Sequence, residues 1–187
     1  MTYKIDLPFI ALEAVEKEEE NVAFRSFLKF LDIGSEELDA IVHEINDNVS
    51  AQIDCTQCAN CCKMIHPVLS EKDVAGFAGG VQVAPAALKE DYLVPAEEKP
   101  GKFHFNALPC PFLADSRCSN YAARPQDCRS FPHLHKKNFR SRLWGVIFNY
   151  ELCPIVYYVY EELKEELWYE DEFEFDDFGE DEFLGEG

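Results

Sequence analysis

Between Phe9 and Asp32 the apolar positions Ile10, Leu12, Val15, Val22, Phe24, Phe27, Leu28 and Leu31 recur at roughly helical spacing, with a polar break near Glu18–Asn21. Such a stripe predicts one or two amphipathic helices ending at Gly34. Ser35 is then a candidate N-cap for the next helix. Its Leu38, Ile41, Val42, Ile45, Val49 and Ile53 fall on one face at spacings of three and four and deliver the chain to Cys55.

Further along, "LSEKDVAGFAGG" places Ser70 to cap a short helix, with acids in its first turn and Gly79-Gly80 to stop it. A second short helix is expected to begin at Pro85. In "EKPGKFHFNAL" a Pro-Gly turn precedes Phe103, Phe105 and Ala107 alternating with polar residues, which predicts a strand, and "RLWGVIFNY", residues 142–150, is its expected partner. Between these lies "PCPFLADSRCSNYAARPQDCRSFPHLHKK", rich in proline and polar residues and too poor in periodic apolar positions for a long helix. A segment of that kind needs another source of rigidity, and metal–thiolate bonds supply it. Pro154 is suited to the first turn of a helix through Ile155, Tyr158, Val159, Leu163 and Leu167. The expected fold is a small, loop-rich, mainly helical α+β domain with a short β hairpin or sheet, stapled by a cysteine metal cluster.

The 187 residues suffice for one ordinary domain with an appended tail. The expected division is residues 1–54 as helices packing on the core, 55–160 as the cysteine-cluster domain, and 161–187 as an acidic aromatic tail, disordered at its end. The whole chain carries a net charge of −19, and residues 161–187 hold fourteen acids against the one base Lys164, so −13 of it is localised there. That balance argues against a nucleic acid or phospholipid partner. The N-terminus lacks a basic region followed by an apolar run, and no window approaches the roughly eighteen apolar residues of a membrane span, so a cytoplasmic protein is expected. For the tail, solvation is the plain reading; its spaced phenylalanines among acids also suit docking to a basic, apolar groove of a protein partner.

The chemistry is concentrated in eight cysteines, Cys55, Cys58, Cys61, Cys62, Cys110, Cys118, Cys128 and Cys153, of which the first four open as "CTQCANCC". In a reducing compartment and a chain of this length, metal ligation or catalysis is favoured over a disulfide framework. Two-residue gaps let the backbone turn so that both thiolates face one ion, as in zinc knuckles and ferredoxins. Cys62 is the odd one, because adjacent side chains usually diverge; it is expected to face a second centre or to bridge. Eight thiolates equal two four-ligand sites, yet an iron–sulfur centre with spare thiols uses the same total, so zinc and iron both stay open.

"CTQCANCCK" followed by "LPCPFLADSRCSNYAARPQDCRSFP" resembles the YkgJ-type cysteine-cluster family, described as zinc- or iron-chelating, with the hallmark C-x2-C-x2-C-C. The resemblance runs from about Ile41 to Cys153. Cys55, Cys58, Cys61 and Cys62 match the first block, Leu69 to Val74 its usual helix start, and Cys110, Cys118, Tyr121, Arg124, Pro125, Cys128, Arg129, Phe131 and Pro132 the second. It implies metal binding through these cysteines. Two departures stand out: Asn60 is bulkier than expected between the second and third cysteines, and the acidic tail is not part of the pattern. A related pattern accompanies flagellin lysine methylases, but the chain has no evident room for a separate methyltransferase domain, and that activity is not expected here.

Other side chains have plainer readings. His66, His104, His133 and His135 are left out of the ligand set because eight thiols already suffice. Arg124, Arg129 and Lys63 are placed to offset thiolate charge, or else Arg124 and Arg129 pair with Asp115 or Asp127 to hold the loop. Tyr121 reads as a packed aromatic, and Asp54, Asp73 and Asp127 as helix-end or loop caps. The expected function is a metal-binding protein chelating zinc or iron, the latter including an iron–sulfur centre. Two alternatives are an iron–sulfur redox or electron-transfer enzyme and a thiol/metal redox switch.

Overall fold

The computed structural model describes residues 3–169. The N-terminal stripe folds as two helices, α1 (Leu7–Glu16) and α2 (Glu18–Phe30), divided at Lys17. The Asp6 carboxylate accepts from the Phe9 amide at 3.1 Å to start α1, and Glu18, Glu19 and Glu20 face the positive end of α2. Helix α3 (Ser35–Ser50) begins one residue earlier than the serine signal suggests: Gly34 is the N-cap, and Ser35 lies inside the helix with no capping bond. Because α3 stops at Ser50, Ile53 reaches the core from the turn that follows.

Two short helices carry the first cysteine block, α4 (Cys55–Cys58) and α5 (Asn60–Met64). Then come α6 (Glu71–Gly80) and α7 (Pro85–Tyr92) at the positions their Ser70 and Pro85 signals predict. Ser70 and Asp73 form a complete capping box at the start of α6.

Strand β2 (Phe103–Phe105) lies where the alternation places it, but its partner differs from the expectation. It pairs antiparallel with β1 (Leu93–Pro95), Leu93 opposite Phe105, across a turn containing Pro100 and left-handed Gly101. Residues 142–150 are not a strand: Leu143–Tyr150 is helix α9. Its buried residues Leu143, Val146 and Tyr150 recur at spacings of three and four. Burying three such side chains is worth about 1.5–3 kcal/mol each, more than the β preference of Val, Ile and Phe, whose whole scale spans about 1 kcal/mol. The second sheet is a minimal hairpin, β3 (Leu113–Ala114) with β4 (Arg117–Cys118). Helix α8 (Gln126–Ser130) and the terminal helix α10 (Pro154–Lys164), opened by Pro154 as expected, complete the set.

These elements bury two apolar clusters. The larger joins α1, α2, α3, α9 and α10 through Ile10, Phe24, Val42, Val49, Tyr150 and Tyr160. Lys164 is fully buried within it and donates to Glu20 and Glu161, both at 2.7 Å. The smaller cluster is Leu69, Val74, Phe77, Ala78, Leu88, Leu93 and Phe105, from α6, α7 and the first sheet. Gly80 at the end of α6 permits one close approach: a Cβ there would lie 2.2 Å from Asn120 Oδ1 and 2.7 Å from Ala123 Cβ. The same Asn120 donates to the Phe77 carbonyl at 2.8 Å, anchoring the loop that carries Cys118 to α6. The mainly helical α+β class is therefore the one expected from sequence. Among the described residues no helix is long and apolar enough to cross a membrane.

Candidate metal centre

The first cysteine block is bent by its own backbone. Asp54 caps α4, its carboxylate accepting from the Thr56 amide at 2.9 Å and from the Thr56 hydroxyl at 2.7 Å. Five residues after Asp54, buried Ala59 adopts φ +53°, ψ 12°, a left-handed conformation that costs a non-glycine residue about 1–2 kcal/mol. That one residue separates α4 from α5 and re-aims the chain between Cys58 and Cys61.

The second block is clasped to the first through the main chain. The Cys110 amide donates to the Cys62 carbonyl at 2.8 Å, and the Leu113 amide returns to the Cys110 carbonyl at 2.9 Å. Asn60, the residue that looked too bulky for its place, donates through Nδ2 to the Leu152 carbonyl at 2.8 Å and so holds the segment of Cys153. Asp127, in α8 beside Cys128, accepts from the Val68 amide at 3.0 Å, and Asp73 accepts from the Gln126 amide at 2.9 Å. Asp127 was legible from sequence as a loop cap, though its partner Val68 was not, and Asn60 showed only as a departure from expectation.

These ties bring all eight cysteines to the wall of one cavity of about 570 Å³ lying between the two apolar clusters. Phe77, Phe105, Phe112 and Phe131 supply much of the remaining wall. All eight are free thiols, with Cys55 exposed and Cys153 buried. Among the described residues no three His, Cys, Asp or Glu side chains stand close enough together to hold an ion, so the thiols share a cavity without a preassembled ligand set. The donor chemistry fits the expected metals: soft sulfurs in a largely apolar wall suit zinc or iron and offer little to magnesium or calcium.

Cys61 and Cys62 both line the cavity. The Cys61 thiol is pushed up by its neighbour Cys62 and by burial, while Cys62 is lowered by Cys61, helped by the Arg124 and Lys63 charges. Burial pushes Cys110 up to about 11 and Cys128 and Cys153 up to about 12. Cys58 and Cys118 are also raised by burial.

Arg124 and Arg129 do different work, and neither forms an ion pair with Asp115 or Asp127 among the described residues. Arg129 braces the loop by donating to the carbonyls of Arg124 at 2.8 Å and Ala122 at 3.2 Å. The Arg124 guanidinium lies 3.8 Å over the Tyr121 ring and lines the cavity. Tyr121 is partly exposed rather than packed in a core. His133 and His135 line the cavity and His66 and His104 do not.

The described residues thus form an α+β domain with a thiol-lined cavity between its two apolar clusters. Residues 54–144 match the CxxCxxCC family model, described as a "putative zinc- or iron-chelating domain". The match spans seven of the eight cysteines, all but Cys153, bears out the resemblance carried by the two cysteine blocks, and supports a metal-binding role. No curated protein and no solved structure gives a significant match to the chain.

Proposed function

We propose that this protein chelates zinc or iron through Cys55, Cys58, Cys61 and Cys62 together with Cys110, Cys118, Cys128 and Cys153. The observation that carries this reading is the arrival of all eight thiols, from four separate stretches of chain, at one cavity. A bound ion would supply a cross-link between the two cysteine blocks, and the protein supplies the rest. The Cys110–Cys62 main-chain bond sets the blocks side by side, Asn60 holds the Cys153 segment, and Arg124 and Lys63 offset negative charge as thiols ionise. Eight unpaired thiols suit a reducing, cytoplasmic setting. Elemental and labile-sulfide analysis of protein purified without a chelating tag tests the reading directly. Stoichiometric zinc or iron that falls in Cys58→Ser is expected; unchanged metal content in that variant would sink the assignment.

An iron–sulfur centre doing redox chemistry is the second reading, favoured by the aromatic wall of Phe77, Phe105, Phe112 and Phe131. Acid-labile sulfide with a chromophore that bleaches on reduction distinguishes it from a zinc module. The Cys61–Cys62 contact suits a thiol switch, for which reversible metal loss on peroxide treatment is the sign. The acidic aromatic tail lies, from residue 170 on, outside the described residues; docking of the tail to a protein partner is part of the same proposal, tested by pull-down with and without it.

A further inference from the structure

His66 and His104 sit outside the thiol cavity, on the segment between α5 and α6 and on strand β2. Each is oriented by the other's stretch of backbone: His66 Nδ1 lies 3.0 Å from the Phe105 carbonyl oxygen, and His104 Nδ1 lies 2.9 Å from the Pro67 carbonyl oxygen. A carbonyl can only accept, so both rings donate from Nδ1, and in the neutral ring with that tautomer Nε2 is the nitrogen that carries the free lone pair. That atom is on the far side of the ring from Nδ1 and has no bonding partner among the described residues. The ring centres are 5.9 Å apart with the planes inclined at 63°.

We infer that His66 and His104 form a second, imidazole-based site for a borderline divalent transition metal ion such as Zn(II), separate from the thiol centre. Two imidazoles bound to one tetrahedral ion at about 2.1 Å have ring centres about 5 Å apart, a separation close to the one seen here. Nδ1–H donation to a backbone carbonyl is the arrangement that fixes the tautomer and ring orientation of metal-binding histidines. The structural duty of these rings, satisfying the Pro67 and Phe105 carbonyls, uses Nδ1 alone and leaves Nε2 unspent. His66 is exposed and His104 half-buried, so water has access to complete the coordination. The site needs no thiol, and its failure would leave the thiol reading untouched.

The test titrates the protein as isolated, dialysed to constant metal content, with additional Zn(II), followed by calorimetry and elemental analysis. One further equivalent per chain is expected, weakened in His66→Gln and in His104→Gln by at least the roughly 10- to 100-fold that loss of even an outer-shell partner costs. A further equivalent bound as tightly by both variants, or no further equivalent at all, overturns the proposal. Because either substitution also removes an Nδ1 bond, two-bond proton–nitrogen spectra of the unaltered chain provide an independent reading. The Nε2 resonances of both histidines should move together during the titration; movement of neither, or of only one, overturns it.

Discussion

Asn60 Nδ2 donates to the carbonyl of Leu152 at 2.8 Å, joining two points 92 residues apart in sequence, one beside Cys61 and the other beside Cys153. The bond is part-buried, so removing the amide leaves an acceptor without its partner in a place where water reaches it poorly. Asn60→Ala is expected to cost about 1–3 kcal/mol in thermal or denaturant unfolding. It should also loosen metal retention against a chelator, while helical content measured by circular dichroism stays unchanged. Retention equal to that of the parent chain would mean that the tether plays no part at the centre.

Asp39 is buried in α3 and accepts from the Asn138 amide at 2.7 Å and the Phe139 amide at 2.8 Å. These two bonds fasten the loop that follows the second cysteine block to the helical core. Asp39→Ala strands both amides and should destabilise the protein by about 2–4 kcal/mol, read as a lower midpoint in urea. Asp39→Asn keeps an acceptor oxygen for one amide and should lose less.

Lys164, fully buried between Glu20 and Glu161, is a second lever on stability with no connection to the cavity. Lys164→Met removes one of the two cations beside Glu161, which keeps Lys17 and the Tyr150 hydroxyl as partners, at an expected cost of about 1.5–3 kcal/mol. Metal content per folded molecule should not change, which separates a stability defect from a ligand defect.

Most of the thiols around the cavity are raised by burial, Cys110 to about 11 and Cys128 and Cys153 to about 12, and are therefore protonated at neutral pH in the metal-free chain. Each sulfur that binds a metal must first lose that proton. Metal affinity should thus fall as the solution is acidified below neutrality and rise toward higher pH. Binding in weak buffer should release close to one proton per metal–sulfur bond formed, measurable with an indicator dye; binding without proton release would exclude thiolate ligation.

Cys62 runs the other way, lowered by its neighbour Cys61 and by the Arg124 charge. Since the thiolate is the nucleophile, limited alkylation of the metal-free protein near pH 7 should mark Cys62 well ahead of Cys61, and Arg124→Gln should narrow the difference. Peptide mass mapping reads both.

Several elements were legible because their signals are local. Pro154 begins α10, Pro85 begins α7, and Ser70 with Asp73 caps α6, each where short-range sterics or a three-residue hydrogen-bonded ring decides the matter. The segment 142–150 shows where such reading stops. Its run of Leu, Val, Ile and aromatic residues suits a strand or a helix equally, and only packing against α2 and α10 selects the helix that buries Leu143, Val146 and Tyr150.

The same division holds at the centre. The sequence alone determined the chemistry on offer, because C-x2-C-x2-C-C and the downstream cysteines are covalent facts whose soft sulfur donors need no fold to read. It could not bring Cys153 to the same cavity as Cys58, choose Asn60 and Asp127 as the clasps, or set the rings of two histidines 38 residues apart next to each other. Those outcomes depend on which distant backbone amides and carbonyls come within about 3 Å, and such pairings are settled only when both apolar clusters close around the cavity.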